Sequence, residues 1–425
     1  MFNHYHEVET FFNQRKSFGI KPGLDRIKSL LKMLLNPEQK IQAIHVAGTN
    51  GKGSTIQYIN NALRRNDYRV GRFISPSANG LTDHIFVNDD PISQKKFTKL
   101  MNEMYPYISQ LDEQNNHPTE FEIITALAFL YFAESVDIAL IEAGMGGRED
   151  TTNCFLPLLS IITNVSHDHM AFLGNTVEKI ALHKAGIIKM QTPVIIGPMA
   201  APAMQVMERE AASLQAKLYR YGMEFNSADE GQSHFIWKDR WKHNELNVSI
   251  QMIGKHQQVN ASLAVMAVML LSEQDYKIDL GKALNGIFHT TVPGRYELVN
   301  ENPRIVLDGA HNEAGILSFI QAVNSIPSNH NKHVIFAAFK DKDIYNMIHL
   351  LSNQFGSIAL TTFDHPRAAT IDDLANFANT DNVTLENDWM KMLERVVNTP
   401  KPDTDYFVTG SLNFIAKVRK FLAEQ

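Results

Sequence analysis

Gly48-Thr-Asn-Gly-Lys-Gly-Ser54 carries the residue types of a loop that binds phosphate. An apolar run from Ile41 to Ala47 leads into it, and Ile56 to Arg65 leaves it with helical spacing. A strand, a glycine loop and a helix in that order cradle nucleotide phosphates. Glycines let backbone N–H groups approach the oxygens, the helix N-terminus adds partial positive charge, and Lys52 adds a full one. Two positions depart from the usual pattern: Val46 stands where a first glycine is common, and Gly53 follows the lysine in place of Ser or Thr.

Phosphate chemistry of this kind uses Mg²⁺, a hard cation that prefers oxygen ligands. Ser75, Glu142 and His169 offer a hydroxyl, a carboxylate and an imidazole, each at or just past the end of a predicted strand. Taken singly, each has an ordinary alternative: a turn serine before proline, an ion-pair partner and a loop histidine. Lys184, in Ile180-Ala-Leu-His-Lys-Ala-Gly-Ile187, lies on an otherwise apolar predicted helix. A buried amine loses its charge readily and can then add carbon dioxide, giving a carbamate able to meet a second metal ion. The residues alone favour the other reading, an ammonium paired with phosphate or carboxylate. Further on, Asp308 and His311 in Leu307-Asp-Gly-Ala-His-Asn312 follow another predicted strand, and Arg295 follows a Pro-Gly break. Asp308 and His311 are placed to reach across a cleft toward the nucleotide, and Arg295 to clamp phosphate on closure. A turn aspartate and a surface arginine are the alternatives.

The elements that position these residues alternate along the chain. Predicted strands lie at 69–75, 137–143, 158–165 and 193–197, with helices at 120–134, 176–188 and 203–218. This is the pattern of a parallel sheet flanked by helices, whose ligands gather at the strands' carboxyl ends. Short alternating strands from Ser233 to Ile253 predict a hairpin at one sheet edge. Helices at 256–271 and 280–288 precede a boundary at Thr291–Tyr296. Alternation then restarts: strands at 304–307, 333–338, 357–362, 383–385 and 406–408, with helices at 314–323, 344–355, 371–378, 388–397 and 412–422. The fold class expected is α/β: a larger N-terminal P-loop ATPase-like domain with a parallel sheet (1–292) and a smaller C-terminal Rossmann-like α/β domain (293–425).

Length and composition narrow the function classes. The chain has 425 residues, more than one core usually organises, with 44% hydrophobic and 20% charged residues. A net charge of −6 argues against nucleic acid or an anionic membrane as main partner. No apolar run reaches the roughly eighteen residues of a membrane span. The N-terminus lacks the pattern of an export signal, and the single cysteine, Cys154, fits a reducing compartment and reads as a core residue. The expectation is a cytoplasmic monomer.

Together these stretches resemble the folylpolyglutamate synthase and dihydrofolate synthase family, within the Mur-ligase-like ATP-dependent amide ligases. The resemblance spans nearly the whole chain. It rests on His45 to Ser54, Phe121 to Leu127, Ile141 to Gly147, Asp168-His169, His183 to Ile187, Pro293 to Arg295 and Asp308 to Asn312. Glycine after the loop lysine is typical of the folate branch. The resemblance implies ATP contacts at Thr49, Asn50, Gly51, Lys52, Gly53, Ser54, Asn260, Arg295, Asp308 and His311. It implies Mg²⁺, in two sites, at Ser75, Glu142, His169 and a carbamylated Lys184. Lys52, Lys184, Asp308 and His311 are the implied catalytic residues. The implied reaction uses ATP to convert a carboxyl group to an acyl phosphate, which the amine of L-glutamate attacks. A reduced folate or dihydropteroate is the acceptor.

Ser75-Pro-Ser-Ala-Asn-Gly-Leu-Thr-Asp-His84 departs from the family pattern: Ser77 replaces a histidine, and Asp83-His84 replaces Glu-Arg. That loop shapes the pterin-acceptor site. Gly147 to Asn153, in turn, is similar to a run of bifunctional members and favours dihydropteroate. Two rivals are a cell-wall Mur ligase, opposed by Gly53 and by the lack of a nucleotide-sugar domain before residue 41, and a paralogue that binds ATP and folate without efficient turnover.

Overall fold

The computed structural model describes residues 1–425 except Ile20, Ala78, Asn79, Glu230, Gln232, Thr380, Asp381 and Gln425. The chain divides into two compact units: Met1–Glu230, His234–Ile250 and Val259–Thr290 in one, and Gly231–Ser233, Gln251–Gln258 and Thr291–Gln425 in the other.

The larger unit is built on an eight-stranded sheet. Its strands are β1 (Ala43–Ala47), β2 (Val70–Phe73), β3 (Ile85–Val87), β4 (Asp90–Pro91), β5 (Ile138–Glu142), β6 (Leu159–Ile162), β7 (Val194–Ile196) and β8 (Leu218–Arg220), in the order β4-β3-β2-β5-β1-β6-β7-β8. Strands β2, β5, β1, β6, β7 and β8 pair in parallel; β3 and β4 add antiparallel pairs at one edge. Strand β1 is buried throughout; its one polar residue, His45, pairs with Thr152 Oγ1 at 2.9 Å. Helices α1 (Tyr5–Arg15), α2 (Asp25–Met33), α4 (Gln94–Glu113) and α5 (Glu120–Ser135) share one hydrophobic cluster with Ala43, Phe73, Ala139 and Ile141. A capping box at Thr119 and Glu122 starts α5. Helices α7 (Val177–Ala185) and α8 (Ala201–Ser213) share another cluster with Ala47, Ile162, Val194 and Ile196. Helix α3 (Lys52–Arg64) follows β1, a single turn α6 (Met170–Leu173) precedes α7, and α9 (Lys255–Ser272) and α10 (Leu280–Phe288) complete the helices before the boundary.

Three expectations are corrected. Helix α3 begins at Lys52 rather than Ile56, so the lysine belongs to its first turn. The predicted edge hairpin is a separate three-stranded antiparallel sheet of β9 (Phe225–Asp229), β10 (His234–Asp239) and β11 (Glu245–Ser249). The helix drawn to residue 218 ends at Ser213, and Leu218 starts β8.

The smaller unit carries a six-stranded sheet in the order β12-β13-β17-β14-β15-β16. Its strands are β12 (Glu297–Glu301), unpredicted and antiparallel, then β13 (Arg304–Leu307), β14 (Asn331–Phe336), β15 (Ser357–Thr361), β16 (Val383–Glu386) and β17 (Thr404–Thr409). Helices α11 (Glu313–Ser325), α12 (Ile344–Ser352), α13 (Ile371–Leu374), α14 (Trp389–Asn398) and α15 (Leu412–Ala423) alternate with the strands.

Candidate active site

Strand β1 lies between β5 and β6, so the loop it feeds emerges between their carboxyl ends. Residues just past β6 hold the loop. Thr49 N donates to Asn164 O at 3.2 Å, and Asn50 N donates to Asn164 Oδ1 at 3.0 Å. Asn50 O accepts from Thr163 Oγ1 at 2.6 Å and from Asn164 Nδ2 at 3.0 Å. Thr49 Oγ1 donates to Ser166 O at 3.1 Å. Gly48 and Gly51 take left-handed backbone angles, φ 154° and 84°. A side chain at Gly48 would strike Thr163, and one at Gly51 would strike the Asn260 amide. Gly51 is the N-cap of α3, and no side chain caps the helix. Its first-turn amides therefore keep the positive end of the helix dipole open to an anion.

Lys52 folds back over this loop. Its Nζ donates to Gly48 O at 3.1 Å and lies 3.7 Å from Glu142 Oε1. Glu142 ends β5, where Val46 pairs with it in register, and is 5% exposed. Its other oxygen, Oε2, accepts from Ser75 N at 3.2 Å. Ser75 Oγ is buried and without a hydrogen-bond partner. A buried hydroxyl left in that state costs free energy unless something else binds it. Lys52, Glu142 and Ser75 are thus brought together by three strand ends.

Lys184, in the last turn of α7, is 3% exposed. Burial lowers its pKa to about 7, with repulsion from Lys52 second and attraction from Asp168 and Asp150 opposing. The amine is therefore close enough to Lys52 and Asp168 to feel both. His169 follows Asp168 in a left-handed conformation, its Nε2 4.0 Å from Asp168 Oδ2, and its side chain is 40% exposed. Among the described residues, no three His, Cys, Asp or Glu side chains gather as a metal-binding group.

Polar groups of the Gly147 to Asn153 run brace the segments that carry these residues. Asp150 Oδ2 accepts from Met145 N at 2.7 Å and so braces the glycine-rich turn after Glu142, while Oδ1 accepts from Thr152 N at 3.1 Å. Asn153 Nδ2 donates to Arg148 O and Gly186 O. The Gly147 to Asn153 run thus spends these hydrogen bonds on the fold itself. Cys154 is half-buried, donates to Thr151 O at 3.3 Å, and burial pushes its thiol up to about 12, which leaves it unreactive. In the loop after Ser75, Ala78 and Asn79 lie outside the described residues. His84 Nδ1 donates to Ile74 O at 2.8 Å, and its ring stacks on Phe73 with centroids 6.1 Å apart.

In the smaller unit, Asp308 ends β13 and is buried. Its Oδ2 accepts from Tyr296 N and its Oδ1 from Ala310 N, both at 2.9 Å. Burial raises its pKa, and the nearby Arg295 works against that rise. Gly309 packs on Arg295 and Leu412, leaving no room there for a side chain. His311 Nδ1 donates to Gly309 O at 2.8 Å, which leaves Nε2 as the acceptor of the neutral ring.

The Mur ligase middle domain family matches residues 46–268, and the Mur ligase glutamate ligase domain family matches 294–412. The dihydrofolate synthase/folylpolyglutamate synthase of Bacillus subtilis (strain 168) is 40% identical, covering 99% of this chain and 100% of that protein. The chain belongs to the folylpolyglutamate synthase and dihydrofolate synthase family of Mur ligases. The folylpolyglutamate synthase of Lacticaseibacillus casei is 32% identical over 93% of this chain and 94% of that one. The fold matches Mycobacterium tuberculosis folylpolyglutamate synthase complexed with ADP and AMPPCP at a TM-score of 0.88 and 27% identity, covering 99% and 98% of the two chains. As a member of this family the chain is an ATP-dependent ligase. No helix among the described residues is long and apolar enough to cross a membrane.

Proposed function

We propose that this ligase joins the amine of L-glutamate to a carboxyl group of a reduced folate, and that it also accepts dihydropteroate. The observation that carries the reading is the cluster of Lys52 Nζ, the Glu142 carboxylate and the unpartnered Ser75 Oγ beside an uncapped helix N-terminus. Residues 1–292 form the ATP-binding part in this reading, and residues 293–425 the glutamate-ligase part.

The loop amides of Thr49 to Ser54 and the Lys52 ammonium bind the nucleotide phosphates, and Asn260 buttresses the loop at Gly51. Ser75 and Glu142 fit Mg²⁺, which takes few protein ligands when substrate phosphates supply the rest. His169 and a carbamylated Lys184 would complete two metal positions. When bound, Mg²⁺ neutralises charge on the transferring phosphoryl group. A carboxylate is a poor electrophile, so the acceptor carboxyl oxygen first takes the γ-phosphoryl group and ADP leaves. The glutamate amine then attacks the acyl carbon, loses a proton, and phosphate departs. Arg295, Asp308 and His311 are the smaller unit's proposed contribution to ATP contact and catalysis. The protein is proposed to act as a cytoplasmic monomer.

The test is phosphate release from ATP with L-glutamate and, in separate reactions, tetrahydrofolate monoglutamate, dihydropteroate or a muramyl nucleotide. Release with both pterins is expected. Release with the muramyl nucleotide alone would overturn the assignment.

A further inference from the structure

The end of the larger sheet opposite the phosphate loop, where the chain enters β1, β6 and β7, holds three large apolar side chains in solvent. Leu35 is 77% exposed, Leu156 70% and Met190 67%. The three strands are neighbours, and their entry segments run side by side: Leu158 N donates to Ala43 O at 2.8 Å, and Ser160 N to Pro193 O at 3.0 Å. Lys28, Glu38 and Lys189 all act electrostatically on Cys154, which brings the middle of α2 and the entry of β1 near the entries of β6 and β7.

Leu35 is the most informative of the three. Helix α2 ends in a Schellman turn, with Asn36 N donating to Leu31 O at 2.9 Å and Leu35 N to Lys32 O at 3.2 Å. Leu35 occupies its left-handed position, φ 63°, where glycine is the usual residue because a side chain strains the backbone. A leucine there bears that strain and gains no burial within this chain. Strain kept without an internal return points to a use outside the fold.

Charge says what kind of partner fits. Residues 28–42 and 189–193 carry Lys28, Lys32, Lys40 and Lys189 against one acid, Glu38, which is buried. This lysine rim runs against the chain's net charge of −6. Two copies meeting through it would set like charges face to face, which disfavours self-association. From β1 to β7 is two strand spacings, roughly 10 Å. That equals about seven residues of helix rise, the reach of one apolar helix face.

We propose that this end is a docking surface for an acidic amphipathic helix of another protein, its apolar face on Leu35, Leu156 and Met190 and its carboxylates on the lysine rim. The experiment measures fluorescence anisotropy of a labelled Glu/Leu amphipathic peptide titrated with the full chain. A Lys/Leu peptide, anionic lipid vesicles and sedimentation of the chain alone serve as comparisons. The Glu/Leu peptide should bind at least tenfold more tightly than the Lys/Leu peptide and weaken as salt rises. Leu35→Gly should weaken it several-fold, and combination with Leu156→Ser and Met190→Ser at least tenfold. Because glycine suits the backbone there, Leu35→Gly should keep ATP turnover unchanged and its melting temperature at or above that of the parent. No preference between the peptides, or binding indifferent to these substitutions, would overturn the proposal. So would preference for vesicles, or self-association that the same substitutions abolish.

Discussion

Replacing Lys184 with methionine is expected to lower turnover by about 10²–10³-fold, the scale of losing one preorganised charge from a transferring group, while the fold survives. The amine is 3% exposed and titrates near 7, against 10.5 for an ordinary lysine. As pH rises through about 7 the neutral form takes over, and only that form adds carbon dioxide. The addition gives a carbamate and releases a proton, reversing the charge at this position. Lys52, which repels the ammonium, would then attract the group, whereas Asp168 and Asp150 would repel it unless a cation intervened. The carbamate reading therefore brings its metal with it. Turnover in buffer stripped of carbon dioxide should fall and recover with bicarbonate, and the recoverable part should shrink below pH 7. Lys184→Arg should be as poor as methionine, because a guanidinium forms no carbamate. Thermal melting of the methionine variant should match the parent, since an apolar chain replaces a poorly solvated amine. Near-parental turnover in Lys184→Met, or no response to bicarbonate, would refute the carbamate.

Lys52→Ala is the second large effect, a loss on the order of 10²–10³-fold in kcat/KM for ATP. Its ammonium bridges Gly48 O and Glu142 at the mouth of the loop, so removing it takes positive charge from the phosphates and leaves a buried carboxylate uncompensated. Arginine should not rescue, because the site offers a point charge a carbonyl and a carboxylate rather than the planar pairing a guanidinium needs. Nucleotide titration calorimetry separates the two consequences. Weaker ATP binding is expected, and thermal melting should show a lowered melting temperature from the uncompensated Glu142. Unchanged ATP binding would remove Lys52 from the phosphate site.

Much of this was legible in residue order, for identifiable physical reasons. The phosphate loop stood out because glycines interrupt an apolar strand beside a lysine. Ser75 and Glu142 stand out because they fall at predicted strand ends, where ligands gather, and Lys184 because it follows the apolar stretch Ile180–Leu182. What escaped has causes as definite. The start of α3 was placed late because Lys52-Gly-Ser54 has no apolar periodicity, though Gly51 in a left-handed cap starts the helix there. Strands β8 and β12 are partly exposed edge strands without clean alternation. The braces at Thr163, Asn164 and Ser166 are small polar residues whose role lies in contacts distant in sequence. Asp168 was read only as the neighbour of His169, whereas its carboxylate is buried and felt by Lys184.

In the proposed reaction ATP activates the acceptor's own carboxyl group. A folate acceptor carrying heavy oxygen in that carboxylate, incubated with the chain, ATP and L-glutamate, tests it most directly by mass spectrometry of the products. One labelled oxygen should appear in the released phosphate, with an acceptor longer by one glutamyl residue. Glutamylated product with unlabelled phosphate would contradict it.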